Sequence, residues 1–299
     1  MHKFFKELAI ASMSLFLINL IIFYLIINPE FYRPYEKIIE NIESNNFIFS
    51  DSHGWSLTKK NYLGEIKLKK NNIKNLSYGS DSYTDIYIKL GYLIKQGMAI
   101  DTVYLSIDPH MLGKKREINN NKNRSILYAN FEDYNNVYNI TYSEFIFRKY
   151  VRKYISTFDI NNANLIQRYF NSFFKSTNVS EKEQKKWIDL SKIEKENKSK
   201  SKFIDFYSRG SSEKLENILH KILKMAKENN IVVIGLHFPI AQQMKNFKIP
   251  ESIKLPRNIF LIKKLLVIDL TDIDTDKYFS NQDHVNNLGA DLIIDRILK

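Results

Sequence analysis

The chain predicts an α/β fold: a doubly wound, mainly parallel sheet flanked by helices and preceded by one N-terminal transmembrane helix. Three observations carry this. Apolar, often β-branched runs at Phe47–Phe49, Ile73–Leu76, Thr102–Ile107, Ile231–Leu236 and Leu265–Leu270 read as buried strands. Helical patterns lie between several of them, so the crossovers are long enough for parallel pairing. Residues Leu8 to Ile27 carry no charge at all.

That uncharged stretch has polar interruptions only at Ser12, Ser14 and Asn19. As a helix it reaches about 30 Å, the hydrocarbon thickness of a bilayer. It exceeds a signal-peptide core, and no small-residue cleavage site follows it. A buried core helix is the competing reading. Lys3 and Lys6 before it predict a cytoplasmic N-terminus and an extracytoplasmic main domain, while Arg33 and Lys37 pull the other way. Asn28-Pro29 is expected to end the anchor. Residues 1–28 are thus read as tail and anchor, and 29–45 as a linker with a short helix at Phe31 to Ser44. Residues 46–299 are read as the α/β domain.

Within that domain, Ser82 to Lys95 follows helical spacing and stops at Gly97. From about 113 to 208 the pattern changes to an Asn-, Lys- and aromatic-rich insertion or cap. It has helical stretches near Ser143–Thr157 and Ala163–Lys175 and a polar run near Glu181–Lys202. Its aromatics suit packing against the main body or a substrate platform. Ser211 or Ser212 can cap a helix carrying Leu215, Ile218, Leu219, Ile222 and Ala226, which ends at Asn229-Asn230. Leu288 to Leu298 is the closing helix.

Charge and composition exclude several functions. Lys and Arg number 45 against 33 acidic residues, for a net charge of +12. The excess is dispersed and forms no stripe with interleaved aromatics, which argues against a nucleic-acid partner and suits solubility or contact with anionic lipid or polysaccharide. With no cysteine there is no disulfide, thiolate zinc site or cysteine nucleophile. No histidine pair shows helical ligand spacing, so neither a metal nor another cofactor is expected.

Three distant segments carry the chemistry: Phe49-Ser50-Asp51-Ser52-His53-Gly54, Ser77-Tyr78-Gly79-Ser80 and Asp283-His284-Val285-Asn286-Asn287-Leu288-Gly289. The first two follow strands and the third precedes the last helix, and in an open parallel sheet ligands bind beyond the carboxyl ends of the strands. Ser52 reads equally as a helix N-cap or as an exposed nucleophile whose N–H faces an acyl oxygen. Gly79 is a turn glycine or a second, closely approachable N–H donor. His284 is a structural histidine or the base that takes the serine proton. His53, His110 and His237 also follow strands and can line the same site.

At these residues the chain resembles the SGNH (GDSL-like) hydrolase superfamily, in particular membrane-anchored members linked to cell-envelope polysaccharide O-acylation. The resemblance covers most of residues 46–110 and 231–299. Ser50-Asp51-Ser52 matches the Gly-Asp-Ser block, Gly79 the oxyanion glycine, and Asn281-Gln282-Asp283-His284-Val285-Asn286 the Asp-x-x-His block. It implies a flavodoxin-like sheet, Ser52 as nucleophile, His284 as base, and the N–H groups of Ser52 and Gly79 as oxyanion donors. Asp51, Asn281, Asp283 and Asp108 are the accessory or orienting candidates. The chain departs from the family twice. Ser106-Ile107-Asp108-Pro109 replaces the block whose Asn donates to the oxyanion, and Asn281 stands where the family has its orienting aspartate. Asp283 is expected to point away from His284, as neighbours in an extended segment do. The resemblance implies an acyl esterase or O-acyltransferase with a carbohydrate or acyl-carrier substrate and a membrane acyltransferase partner, anchored in lipid through residues 8–27. The alternative is a catalytically degraded SGNH fold that binds glycan or acts as a scaffold.

Overall fold

Each apolar run becomes a strand in the computed structural model, which describes residues 2–59, 61–155 and 186–299. Strands β1 (Asn46–Phe49), β2 (Ile73–Asn75), β3 (Thr102–Ser106), β4 (Val232–His237) and β5 (Leu266–Asp269) form one sheet in the order β2-β1-β3-β4-β5. Every neighbouring pair is parallel, with Phe49 opposite Leu105 and Ser106 opposite Leu236. The chain leaves β1 toward β2 on one side and returns to β3 on the other. The reversal of strand order therefore falls between β1 and β3, where a crevice opens at the strands' carboxyl ends.

The helices that frame the sheet and its loops are α1 (Lys3–Ile39), α2 (Ser52–Trp55), α3 (Tyr62–Lys70), α4 (Tyr83–Lys95), α5 (Lys192–Tyr207), α6 (Glu213–Glu228) and α7 (Asn287–Ile297), with further short helices among the described residues. Ile48 and Leu236 on one sheet face pack with Leu57, Leu68, Ile293, Ile294 and Ile297, beneath α3 and α7. Helices α4 and α6 pack against each other, and α6 lies against β4. Ser82 caps α4 through a reciprocal box with Asp85, and Ser212 caps α6 by accepting from the Leu215 N–H. These caps satisfy N–H groups that the first helical turn leaves without partners.

Two compact units emerge: Asn41–Tyr128 with Gln184–Lys299, and Met1–Glu40 with Ala129–Glu183. The segment anticipated as one insertion at 113–208 is therefore divided between them. Its Ser143–Thr157 stretch is helical as far as Ile155. The helix expected at Ala163–Lys175 lies outside the described residues. The polar run near Glu181–Lys202 contains the start of α5, which opens on a capping box between Ser191 and Glu194.

The end of the N-terminal helix needs correction. The helix does not stop at Asn28-Pro29 but runs on to Ile39, through most of the expected linker. Across Phe23–Tyr32 its turns widen, and the Arg33 N–H reaches back five residues to the Asn28 carbonyl. A widened turn accommodates the ring and missing N–H of Pro29 without breaking the helix. Phe4, Leu8, Leu15 and Leu25 are each more than half exposed, and α1 is long and apolar enough to cross a membrane. Asn19, the polar interruption, is buried and donates to the Tyr154 carbonyl.

Gly289 shows why α7 begins with a glycine in its first turn. A Cβ there would lie 2.4 Å from the Tyr278 carbonyl oxygen and 2.9 Å from the Val285 Cβ. Gly289→Ala is expected to cost about 1–3 kcal/mol through overpacking. The check is the denaturation midpoint, which should fall with the slope unchanged.

Candidate active site

The turn after β1 sets the first side chains. Asp51, not Ser52, is the N-cap of α2: its carboxylate accepts from the His53 N–H at 3.0 Å. Ser52 is thereby the first helical residue, free of the capping duty its sequence position also allowed. Among the described residues neither its hydroxyl nor its N–H is hydrogen-bonded. Ser52 lines a cavity of about 670 Å³ with Trp55, Ser56, Lys59 and the segment Ser280, Asn281 and His284–Leu288. The candidate nucleophile and base thus face the same space.

Asn281 fixes the state of His284. Its Oδ1 accepts from the backbone N–H of Asp283 at 3.0 Å and of His284 at 2.8 Å. Two donors on one atom identify that atom as the amide oxygen, since nitrogen could not accept from either. The same oxygen lies 3.0 Å from His284 Nδ1. Asp283 Oδ1 lies 3.1 Å from that nitrogen. The expectation that Asp283 points away is wrong, because the segment turns tightly here and Ser280 N–H closes on the His284 carbonyl. The Asn281 oxygen can only accept, so a neutral His284 ring facing it carries its proton on Nδ1 and leaves Nε2 open.

Gly79, the second expected oxyanion donor, is placed by the turn after β2. It is outside the cavity lining and backs Trp55, whose ring lies 3.0 Å from where a Cβ would sit. The Trp55 ring in turn packs on Tyr78 at 4.6 Å between centroids. Gly79 therefore sets the position of the cavity's aromatic wall.

Behind Ser52 and His284 lies a buried charged cluster whose extent the sequence reading missed. Two Asp-x-His steps, Asp51-Ser52-His53 after β1 and Asp108-Pro109-His110 after β3, cross-pair at the reversal of strand order. His53 Nδ1 meets Asp108 Oδ2 at 2.9 Å, and His110 Nε2 meets Asp51 Oδ2 at 2.9 Å. Arg116 also binds Asp51. Asp108 further accepts from Ser106 Oγ at 3.0 Å and the Phe238 N–H at 2.8 Å. Its carboxylate is thus turned into the interior. Asp51 and Asp108 orient His110 and His53 rather than His284. Helix α5 contributes Phe206, stacked on the His110 ring at 4.5 Å, and Lys202, 3.2 Å from Asp283 Oδ2. His237 lies apart, 3.7 Å from Asp269.

Burial disfavours every charge in this cluster, so the partners decide which survive. Burial raises the Asp51 carboxyl, but Arg116, His110 and His53 outweigh it and hold it well below the usual range. Asp283 is likewise held low, chiefly by His284 and His53 against burial. For His53 burial works against protonation, yet Asp51, Asp108 and Asp283 raise it from 6.5 to about 10. Burial keeps His110 low. By linkage, the Asp51 and Asp283 contributions to stability hold above about pH 3.8 and are lost as the pH falls through their depressed values. The His53 contribution is complete below about 6.5 and is lost as the pH rises through about 10. The melting temperature is therefore expected to hold between about pH 3.8 and 6.5 and to fall on either side. Differential scanning calorimetry across pH 3–11 checks this.

Asp51, His53, Asp108 and His110 are close enough to be considered as metal ligands. The donor set fits a cation poorly. Both histidine–carboxylate contacts are at hydrogen-bond length, and a guanidinium already neutralises Asp51.

No family model matches the chain, and no curated protein matches it. Among solved structures, it is similar to that of a candidate acylhydrolase from Bacteroides fragilis NCTC 9343. Identity is 9% and the TM-score 0.37, over 90% of this chain and 92% of the other. A likeness of that degree bears on neither the reaction nor the residues.

Proposed function

We propose that the chain is a serine-dependent acyl esterase or O-acyltransferase of the SGNH type. The observation that carries this reading is the shared cavity of Ser52 and His284, with His284 Nδ1 turned onto Asn281 and Asp283. In the first half-reaction His284 Nε2 takes the Ser52 proton as Oγ bonds to the acyl carbon. The resulting oxyanion is met by the free Ser52 N–H at the start of α2. Collapse returns the proton to the departing alkoxide and leaves an acyl-serine. In the second half, water or a sugar hydroxyl gives its proton to His284 and attacks the acyl-serine, and serine is regenerated.

The finer reading places this chemistry outside the cell, tethered through α1 with its N-terminus cytoplasmic. Its acceptor is cell-surface carbohydrate, and a membrane acyltransferase is the partner that supplies acyl groups. The motif resemblance, the apolar α1 and the excess of basic residues support it. The test is acyl transfer by the full chain to a polysaccharide acceptor, with release of free acid alone favouring the esterase. A second reading, a catalytically silent glycan-binding or scaffold protein, is favoured by Asn281 standing in the orienting position. A fluorophosphonate probe separates the two: labelling at Ser52 supports the enzyme, and no labelling supports the scaffold.

A further inference from the structure

The buried cluster has a charge problem. Asp51, Asp108 and Asp283 are each no more than 2% exposed. Arg116 sits on Asp51, and Lys202 reaches Asp283. His110, the histidine kept neutral, donates through Nε2 to Asp51. Three carboxylates thus face two fixed cations. A net buried charge in such a place costs several kcal/mol.

His53 is the group that can make up the difference. Its Nδ1 lies 2.9 Å from Asp108 Oδ2 and its Nε2 3.8 Å from Asp283 Oδ2. A neutral imidazole has one N–H and could serve only one of them. Neither oxygen of Asp283 and not the His53 Nε2 completes a well-angled hydrogen bond, so charge is what holds them together. The His53 ring also stands perpendicular to that of His284, 5.4 Å away.

We infer that His53 is a resident imidazolium that bridges Asp108 and Asp283, and that it acts as a positioning residue for the His284–Asp283 pair. This rests on His284 being the base. His53 lies outside the cavity lining. Its charge keeps Asp283 ionised beside His284 Nδ1. The charged or titratable groups around it are Asp51 and His110 behind, Asp108 on one nitrogen, and Asp283 with Lys202 and His284 on the other. Arg116 and Lys115 lie beyond. The high proton affinity of His53 agrees with this assignment.

Two measurements on the full chain in detergent test it. With 15N-labelled histidine, both His53 ring nitrogens should show imidazolium shifts up to about pH 8.5, identified by their loss in His53→Gln. A neutral-imidazole pattern at pH 8 overturns the proposal, whether or not the variant folds. In activated-ester hydrolysis, His53→Gln should lower kcat about tenfold with KM within about twofold. It should also move the acid limb of the kcat/KM profile, because the cation beside the His284–Asp283 pair is gone. A fall in kcat with the limb unmoved means a merely structural role and overturns the coupling. If the wild-type chain hydrolyses no ester, the functional reading fails, and the ring-nitrogen shifts still decide the charge on His53.

Discussion

Ser52→Ala is expected to abolish hydrolysis of a small activated acetyl ester, by about 10⁴-fold or more, while the protein stays folded. Loss of a serine nucleophile removes the covalent route altogether, and what remains comes from binding and the oxyanion site. The folded-state half follows from the structure. The Ser52 hydroxyl has no hydrogen-bond partner among the described residues, and the cap of α2 is Asp51. Truncation should therefore change stability by no more than about 0.5 kcal/mol. Rates with an acetyl ester and a parallel melting curve provide the check. An unchanged rate eliminates Ser52 as nucleophile.

Asp283→Asn is expected to lower kcat by about 10²-fold with little change in KM. In the proposed mechanism the carboxylate stabilises the imidazolium that forms as His284 takes the serine proton, an interaction absent before the proton moves. The tautomer itself should survive, because Asn281 Oδ1 holds Nδ1–H independently at 3.0 Å. That is the reason to expect a smaller loss than a triad suffers when its only acceptor is removed. Asn281→Asp in the Asp283→Asn background should recover about tenfold by restoring a negative charge at the same nitrogen. A wild-type kcat in Asp283→Asn would show that Asn281 alone suffices.

The strands were legible because they are short apolar runs with punctuation at both ends. Val232–His237 and Thr102–Ser106 are found within one or two residues of where hydrophobicity places them. The end of α1 was misread because Pro29 stops an ordinary helix, and nothing local announces a widened turn. Helix α5 was hidden by its polarity, although Ser191-x-x-Glu194 spells out its start. At the site, sequence order brings Ser52 and His284 to attention. The two Asp-x-His steps were also written in the chain, one after β1 and one after β3. What could not be read is which carboxylate serves which imidazole, since that depends on adjacent strands with side chains facing each other. Lys202, 81 positions upstream of Asp283 and carried by a helix of its own, has no such local cue.

The turn at Ser280–Asn286 has a bearing on how robust the site can be. His284, the Asn281 amide and the Asp283 carboxylate all fall within four consecutive residues, tied by the Asn281 bonds to two successive backbone N–H groups. Their mutual spacing is therefore local and insensitive to drift of the surrounding loops. Only one long-range distance, from this cassette to the start of α2, has to be held by the whole sheet. Mutations that loosen the body should accordingly spoil the approach of Ser52 first and leave the imidazole's own geometry intact.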